Sequence, residues 1–348
     1  MRFERQRRVG VALATVAVAS ILLSGCVDVA APDPEGSAAP AYVSTWQEPQ
    51  PIEIAPLRGT QVEPGSVSNA SIAAKIDNHV AARPQVGLES TDIVFEEMVE
   101  GGLTRYVAIW QSTIPKELGP VRSIRPMDPD ILSPFKGIVA YSGGQPRFVQ
   151  LMKDSGVYNA IHGQSDTADT FFRSTTKQAP HNVLVKAREV IADHKKIPAP
   201  AQQFGYSLDL ASSTAVTEGK PISAIKLVFG PPSQPSWKWS EESSTWLRSQ
   251  MGEKDKDSKG KQLAATNVVV IRVGVSNGLG VPKTELVGYG EAWVSAGGHV
   301  VKAKWSKSSR TARIKLTDVN GATIHLAPGN TWFELVPTTG SAKFVDAS

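Results

Sequence analysis

Apolar and polar positions alternate with a period of two over two neighbouring stretches, Asp92–Val99 and Leu103–Trp110. Glu100, Gly101 and Gly102 between them are turn formers, so the pattern predicts a β-hairpin. Alternation places Ile93, Phe95, Glu97 and Val99 on one face, and Asp92, Val94, Glu96, Met98 and Glu100 on the other. Ser71–Ile76 reads as a strand that ends in the polar turn Asp77, Asn78 and His79. Gly137–Tyr141 reads as a buried strand. The glycine turn Ser142–Pro146 follows it, then a helical stretch with Phe148, Leu151 and Met152 on one face. Asp166–Arg173 is expected to be a short helix. Beyond Ile222 short β-rich runs and frequent turns predict a twisted antiparallel sheet or sandwich. Gly252–Lys261, crowded with charge, is expected to be a solvated hairpin tip. Trp237 and Trp239 share a strand face with Trp246 close behind, a spacing that favours core over a sugar-binding platform.

These elements predict an α+β chain. A mixed α/β domain is expected over 57–200, a linker over 201–221 that follows the proline-rich Ile197–Ala201, and a smaller, mainly antiparallel β domain over 222–340.

The start of the chain carries a different pattern. Arg2, Arg5, Arg7 and Arg8 precede an apolar run, Val9–Leu23, that is too short for a spanning helix. The run closes on Leu23, Ser24, Gly25 and Cys26, an order that resembles the bacterial lipoprotein signal. Residues 1–25 are therefore expected to be removed and Cys26 to become the acylated N-terminus. More than one acyl chain, palmitate among them, would hold the protein stably at a membrane. Cys26 is the single cysteine of the chain, which suits an anchor better than a redox or metal ligand. Residues 26–56 are rich in Ala, Pro and Ser and read as a tether.

Charge changes the picture little. The formal net charge of +4 includes four arginines and Glu4 of the leader, so about +1 remains after its removal. No basic helix or aromatic-interleaved basic patch is present, and nucleic-acid binding is not expected.

Candidate chemistry centres on Gly119–Asp130. Arg122 and Arg125 lie between Pro120 and Pro126, where proline excludes a regular helix or central strand. Asp128 and Pro129 read as N-cap and first helical residue, so two cations on a stiff loop would stand beside the positive end of a helix. Pairing of both arginines with acidic residues is the competing reading. Glu97, on an apolar face, needs a partner or a raised pKa, and Arg105 on the next strand is the expected partner. Glu96 and Glu100 are expected in solvent. His181, behind Pro180 and ahead of the apolar run Val183–Val185, is held as an acid/base group must be, or as a loop brace. Ser142 misses the nucleophile-elbow pattern because Ala140 stands where its first glycine belongs. Asp77, Asp92, Glu97 and Asp128 are candidate ligands for Mg²⁺ if the fold brings them together.

Six segments, taken together, resemble the YerB-like bacterial lipoproteins. They are Ala74–Asn78, Ala82–Leu88, Asp92–Glu96, Val99–Arg105, Gly119–Pro126 and Ala179–Asn182. The resemblance implies two domains, the second mostly β, and no established reaction. In or beside these segments lie the candidate site residues: His181 and Glu97 as acid/base groups, and Asp77, Asn78, Arg83, Arg105, Arg122, Ser123, Arg125 and Asn182 as ligand-binding groups.

The expected function is that of a tethered envelope protein binding an anionic envelope polymer or its precursor, with Arg122 and Arg125 as clamp and Arg83 and Arg105 in support. An enzyme acting on that ligand through His181 or Glu97, with or without Mg²⁺, is one alternative. A scaffold recruiting envelope proteins through the β domain is another.

Overall fold

A computed structural model describes residues 44–49 and 51–347. The leader, Cys26 and most of the tether lie outside the described residues. The chain divides into two units, one up to Pro49 and a compact one from Gln50 onward. Among the described residues no helix is long and apolar enough to cross a membrane.

In chain order the compact unit contains strands β1 (Ile72–Asp77), β2 (Ile93–Met98) and β3 (Thr104–Trp110), helix α1 (Asp128–Leu132), strand β4 (Ile138–Tyr141), helix α2 (Pro146–Lys153) and strand β5 (Tyr158–Ile161). Strands β6 (Lys220–Val228), β7 (Pro235–Ser240), β8 (Thr245–Gln250), β9 (Asn267–Ser276), β10 (Gly288–Ala296), β11 (His299–Lys307), β12 (Thr331–Pro337) and β13 (Ser341–Asp346) follow. The predicted hairpin is β2–β3, with Glu97 opposite Arg105.

A single mixed sheet runs through both halves of the chain in the order β5, β4, β1, β3, β2, β12, β9, β10, β11. Its centre is parallel: β12 lies between β2 and β9, with Thr331 opposite both Ile93 and Asn267. Strands outweigh helices, 41% against 12%, so the fold is mainly β and the expected α/β character of the first half is reduced to a few short helices. The central strands β1, β3, β2 and β12 bury both faces, one against α1, α2 and flanking loops, the other against a second sheet of β13, β6, β7 and β8, whereas β11 leaves Lys302 and Lys304 exposed. Trp237 of that second sheet is fully buried against Trp332, which also meets Tyr106, and Trp246 is fully buried beside Trp239, a core role for both.

Several expectations are corrected. Asp166–Arg173 forms a single 3-10 turn and then the short strand Phe171–Arg173, paired with Val183–Val185. The stretch 201–221 is not a bare linker: Gly205–Tyr206 pairs with His325–Leu326, and Thr214–Glu218 is helical. The charged tip 252–261 is partly buried, because Asp255 accepts from Arg248 and Asp257 accepts from the amides of Lys259 and Lys261.

Candidate functional site

Where β1 gives way to a turn, four segments distant in sequence enclose a cleft of about 250 Å³. Asp77 and His79 come from β1 and its turn. Glu100, Thr104 and Arg105 come from the hairpin, Arg122 and Arg125 from the proline-bounded loop, and His181 from the Ala179–Asn182 loop. The arginine loop is held as an extra strand segment. The Asp77 amide donates to the Pro120 carbonyl (2.9 Å), the Arg122 amide to Lys75 (2.7 Å), and the Val121 amide to Val183 (2.8 Å). β4 covers only Ile72–Ala74 of β1, which leaves the end of that strand free to pair with the loop.

The pairing register explains the electrostatics. Arg105 on the middle strand stands opposite Asp77 on one side and Glu97 on the other. Both carboxylates are already taken. Asp77 accepts from His181 Nδ1 (2.6 Å) and lies 3.2 Å from Arg122 Nε, an ion pair by distance but outside hydrogen-bond geometry. Glu97 pairs with Lys75, which also donates to Asp128 Oδ1 (2.7 Å). Arg105 therefore has no carboxylate within 4 Å among the described residues. It is 8% exposed and donates to the Ser123 carbonyl (2.9 Å). Burial, reinforced by the charges of Arg125 and Arg122, lowers its pKa to about 10. Arg125 forms a two-pronged pair with Glu100 (2.8 and 3.0 Å). Burial by itself would raise the Glu100 pKa, yet the Arg125 hydrogen bond and the Arg125 and Arg105 charges hold it below the usual value. Three guanidiniums stand against two carboxylates in the cleft, an excess of one positive charge before its two histidines are counted.

Residues 57–200 match the family described as "Protein of unknown function (DUF3048) N-terminal domain", and residues 225–333 match its C-terminal domain. The chain is 26% identical over 302 residues to "Putative lipoprotein YerB" of Bacillus subtilis, covering 83% of this chain and 88% of that one. The chain belongs to the YerB-like family. The crystal structure of the Bacillus subtilis YerB protein has the same fold, with a TM-score of 0.72 at 22% identity over 84% of this chain and 99% of that one.

Four of the segments that carry the YerB-like resemblance, Ala74–Asn78, Val99–Arg105, Gly119–Pro126 and Ala179–Asn182, are the four that meet in the cleft. Other residues singled out from the sequence brace it from outside. Arg83 donates to the side chain and carbonyl of Asn78 (3.0 and 2.8 Å). Asn78 in turn donates to Thr104 Oγ1 (2.7 Å) on the opposite face of the sheet. Asn182 accepts from Arg173 (2.8 Å) and donates to the Ser174 carbonyl (3.1 Å), tying down the His181 loop. Ser123 donates to the Ser142 carbonyl (3.1 Å), while its own carbonyl receives Arg105.

Three readings of charge change. The partner of Glu97 is Lys75, not Arg105, since both of their side chains leave the same sheet face beside Asp128. Glu96 is fully buried rather than solvated, paired with Arg248 at 2.5 Å. Glu100, expected in solvent, is half-buried on Arg125. Nor does α1 serve as an anion site: it has five residues, and Asp128, instead of capping it, accepts from the Arg125 amide (2.5 Å). The four carboxylates proposed for Mg²⁺ do not converge. Asp92 is spent on Ser112 and the Gln111 amide, and among the described residues no three His, Cys, Asp or Glu side chains gather as metal ligands.

Sequence reasoning passed over Lys75 and Arg248. A lysine inside the apolar run Ile72–Ile76, on the face of Ala73 and Asp77, was the available signal for the first. Arg248 carried none, because its partner Glu96 lies 152 residues away. Ser142 Oγ lies 3.3 Å from His162 Nδ1, and burial together with Arg173 lowers the His162 pKa, but among the described residues no carboxylate orients that histidine.

Proposed function

We propose that this protein is a lipid-anchored, extracytoplasmic member of the family, and that it binds an anionic cell-envelope ligand, a phosphorylated or carboxylated polymer or its precursor, in the arginine cleft. The anchor reading is supported by the Leu23–Cys26 box and by the relative named as a putative lipoprotein. The binding reading is carried by one observation: the guanidinium of Arg105, nine-tenths buried at the cleft, has no carboxylate within 4 Å among the described residues. A buried cation without a directly paired carboxylate is costly, and an anion placed between Arg105 and Arg122 would relieve both desolvation and mutual repulsion. Arg125, tied to Glu100, would shape the rim.

Calorimetric titration of the full chain in detergent with anionic envelope polymers and with pyrophosphate tests this. Arg105→Ala should weaken binding by about 10- to 100-fold, as expected for loss of a charge-assisted hydrogen bond of roughly 1.5–3 kcal/mol. Equal affinity in the folded variant would sink the assignment.

A further inference from the structure

We propose that the cleft is catalytic as well as binding, and that His181 is the general base that delivers water to a phosphate ester held by Arg105 and Arg122. This rests on the anion-binding reading above. Asp77 Oδ2 stands 2.6 Å from His181 Nδ1. A carboxylate there accepts the Nδ1 proton and fixes the tautomer whose Nε2 carries the lone pair. Nε2 has no hydrogen-bond partner among the described residues, and His181 lines the cleft. The ring is also restrained from above: His79 stacks on it at 4.5 Å and 15°. A nitrogen base oriented by a carboxylate, beside unneutralised guanidinium charge, combines the two elements that hydrolysis of a charged ester requires.

The arginines select the substrate class. A phosphodiester carries its charge before reaction and gathers more on its equatorial oxygens as the new bond forms, which suits guanidinium forks. A neutral carboxylic ester would find no anchor there. In the step, Nε2 takes a proton from water and the hydroxyl oxygen forms the new bond to phosphorus. The bond from phosphorus to the leaving oxygen breaks on the opposite side, that oxygen takes a proton from solvent, and the imidazolium returns its own proton to water. Ester and water become a phosphomonoester and an alcohol, with no redox change. The groups facing His181 are Asp77, His79, Arg105, Arg122, Arg125 and Glu100. Asp77 is a positioning residue, since it acts through the histidine.

The full chain in detergent would be assayed with bis(p-nitrophenyl) phosphate from about pH 5 to 9, with inorganic phosphate binding measured in parallel and folding checked by circular dichroism. The expected result is saturable p-nitrophenolate release that rises as the imidazole loses its proton and then levels off. His181→Gln should lower kcat about 10²- to 10⁴-fold and leave phosphate affinity unchanged. Asp77→Asn should lower kcat and displace the pH profile, which a purely structural role would not do. Arg105→Ala should raise KM and weaken phosphate binding together. If phosphate binds but the ester is not turned over, or if His181→Gln matches the parent, catalysis is overturned and binding stands. If phosphate does not bind, both readings fall.

Discussion

Lys75 lies between Glu97 and Asp128 with 1% of its side chain exposed, and burial, offset in part by Asp128, lowers its pKa to about 8. Removing one partner of a buried charge cluster strands the others, so Lys75→Met should cost about 3–5 kcal/mol in urea denaturation. The double variant Lys75→Met, Glu97→Gln should recover part of that loss, whereas a purely steric role for Lys75 would give no recovery. On the opposite sheet face Glu334 is fully buried, accepts from Trp237 Nε1 (2.7 Å) and lies beside Glu96. Burial and the Glu96 charge raise its pKa well above the ordinary 4.5. A proton on its otherwise unpartnered Oε2 gives that oxygen a hydrogen to share with Glu96. A raised folded-state pKa means that the folded chain holds the proton more tightly. Its contribution is full below about pH 4.5 and declines as pH rises through the folded value. Glu334→Gln should flatten that decline, measured as unfolding free energy at several pH values between about 5 and 8; an unchanged slope would show that another group sets it. At this scale the alternating pattern located the apolar face of Glu97. The choice of Lys75 over Arg105 depended on which side chain reaches Asp128, a distance that no spacing along the chain encodes.

The arginine loop works because it is stitched to β1 and to the Val183 segment, and Gly119 sits at that seam. Its φ of +142° lies in the range that favours glycine, and an added Cβ would come within 2.8 Å of both Leu184 Cδ2 and the Val183 carbonyl. Gly119→Ala should therefore cost about 1–3 kcal/mol and shift Arg122, weakening anion binding without touching a charged group. Thermal unfolding together with phosphate titration reads both effects, and retention of full affinity would mean that the loop position is not limiting. The hairpin β2–β3 and the irregular course of the loop were legible in the sequence, since turn glycines and prolines act locally. The N-terminal capping role assigned to Asp128 was not borne out. Its carboxylate takes the Arg125 amide and Lys75, a tertiary preference that overrides the local signal.

For the molecule as a whole, the mixed sheet makes the two family segments interdependent. β2 of the first segment and β9 of the second share β12 as their neighbour, and Trp332 and Phe333 of that strand pack into opposite cores. Residues 57–200 expressed alone should show no cooperative unfolding, because β2 loses β12 on one side and the second-sheet cover of Tyr106 is gone. The full chain should unfold in one transition seen alike by tryptophan fluorescence and far-ultraviolet dichroism; two separated transitions would contradict this. Strand-rich patterning beyond Ile222 was readable, but the parallel joining of β2 to β12, across more than two hundred residues, left no local trace.

The central place of β12 also sets an order of events. A chain that emerges N-terminus first presents β1, β2 and β3 long before Thr331–Pro337 is available to close the sheet. Until then the outer edge of β2 stays open and the arginine cleft rests on an unfinished wall. Export of the proposed lipoprotein across a membrane would therefore pass most of its length before any stable fold resists the pull. The same delay makes the interval before β12 arrives the one in which unpaired edges of neighbouring copies meet most readily.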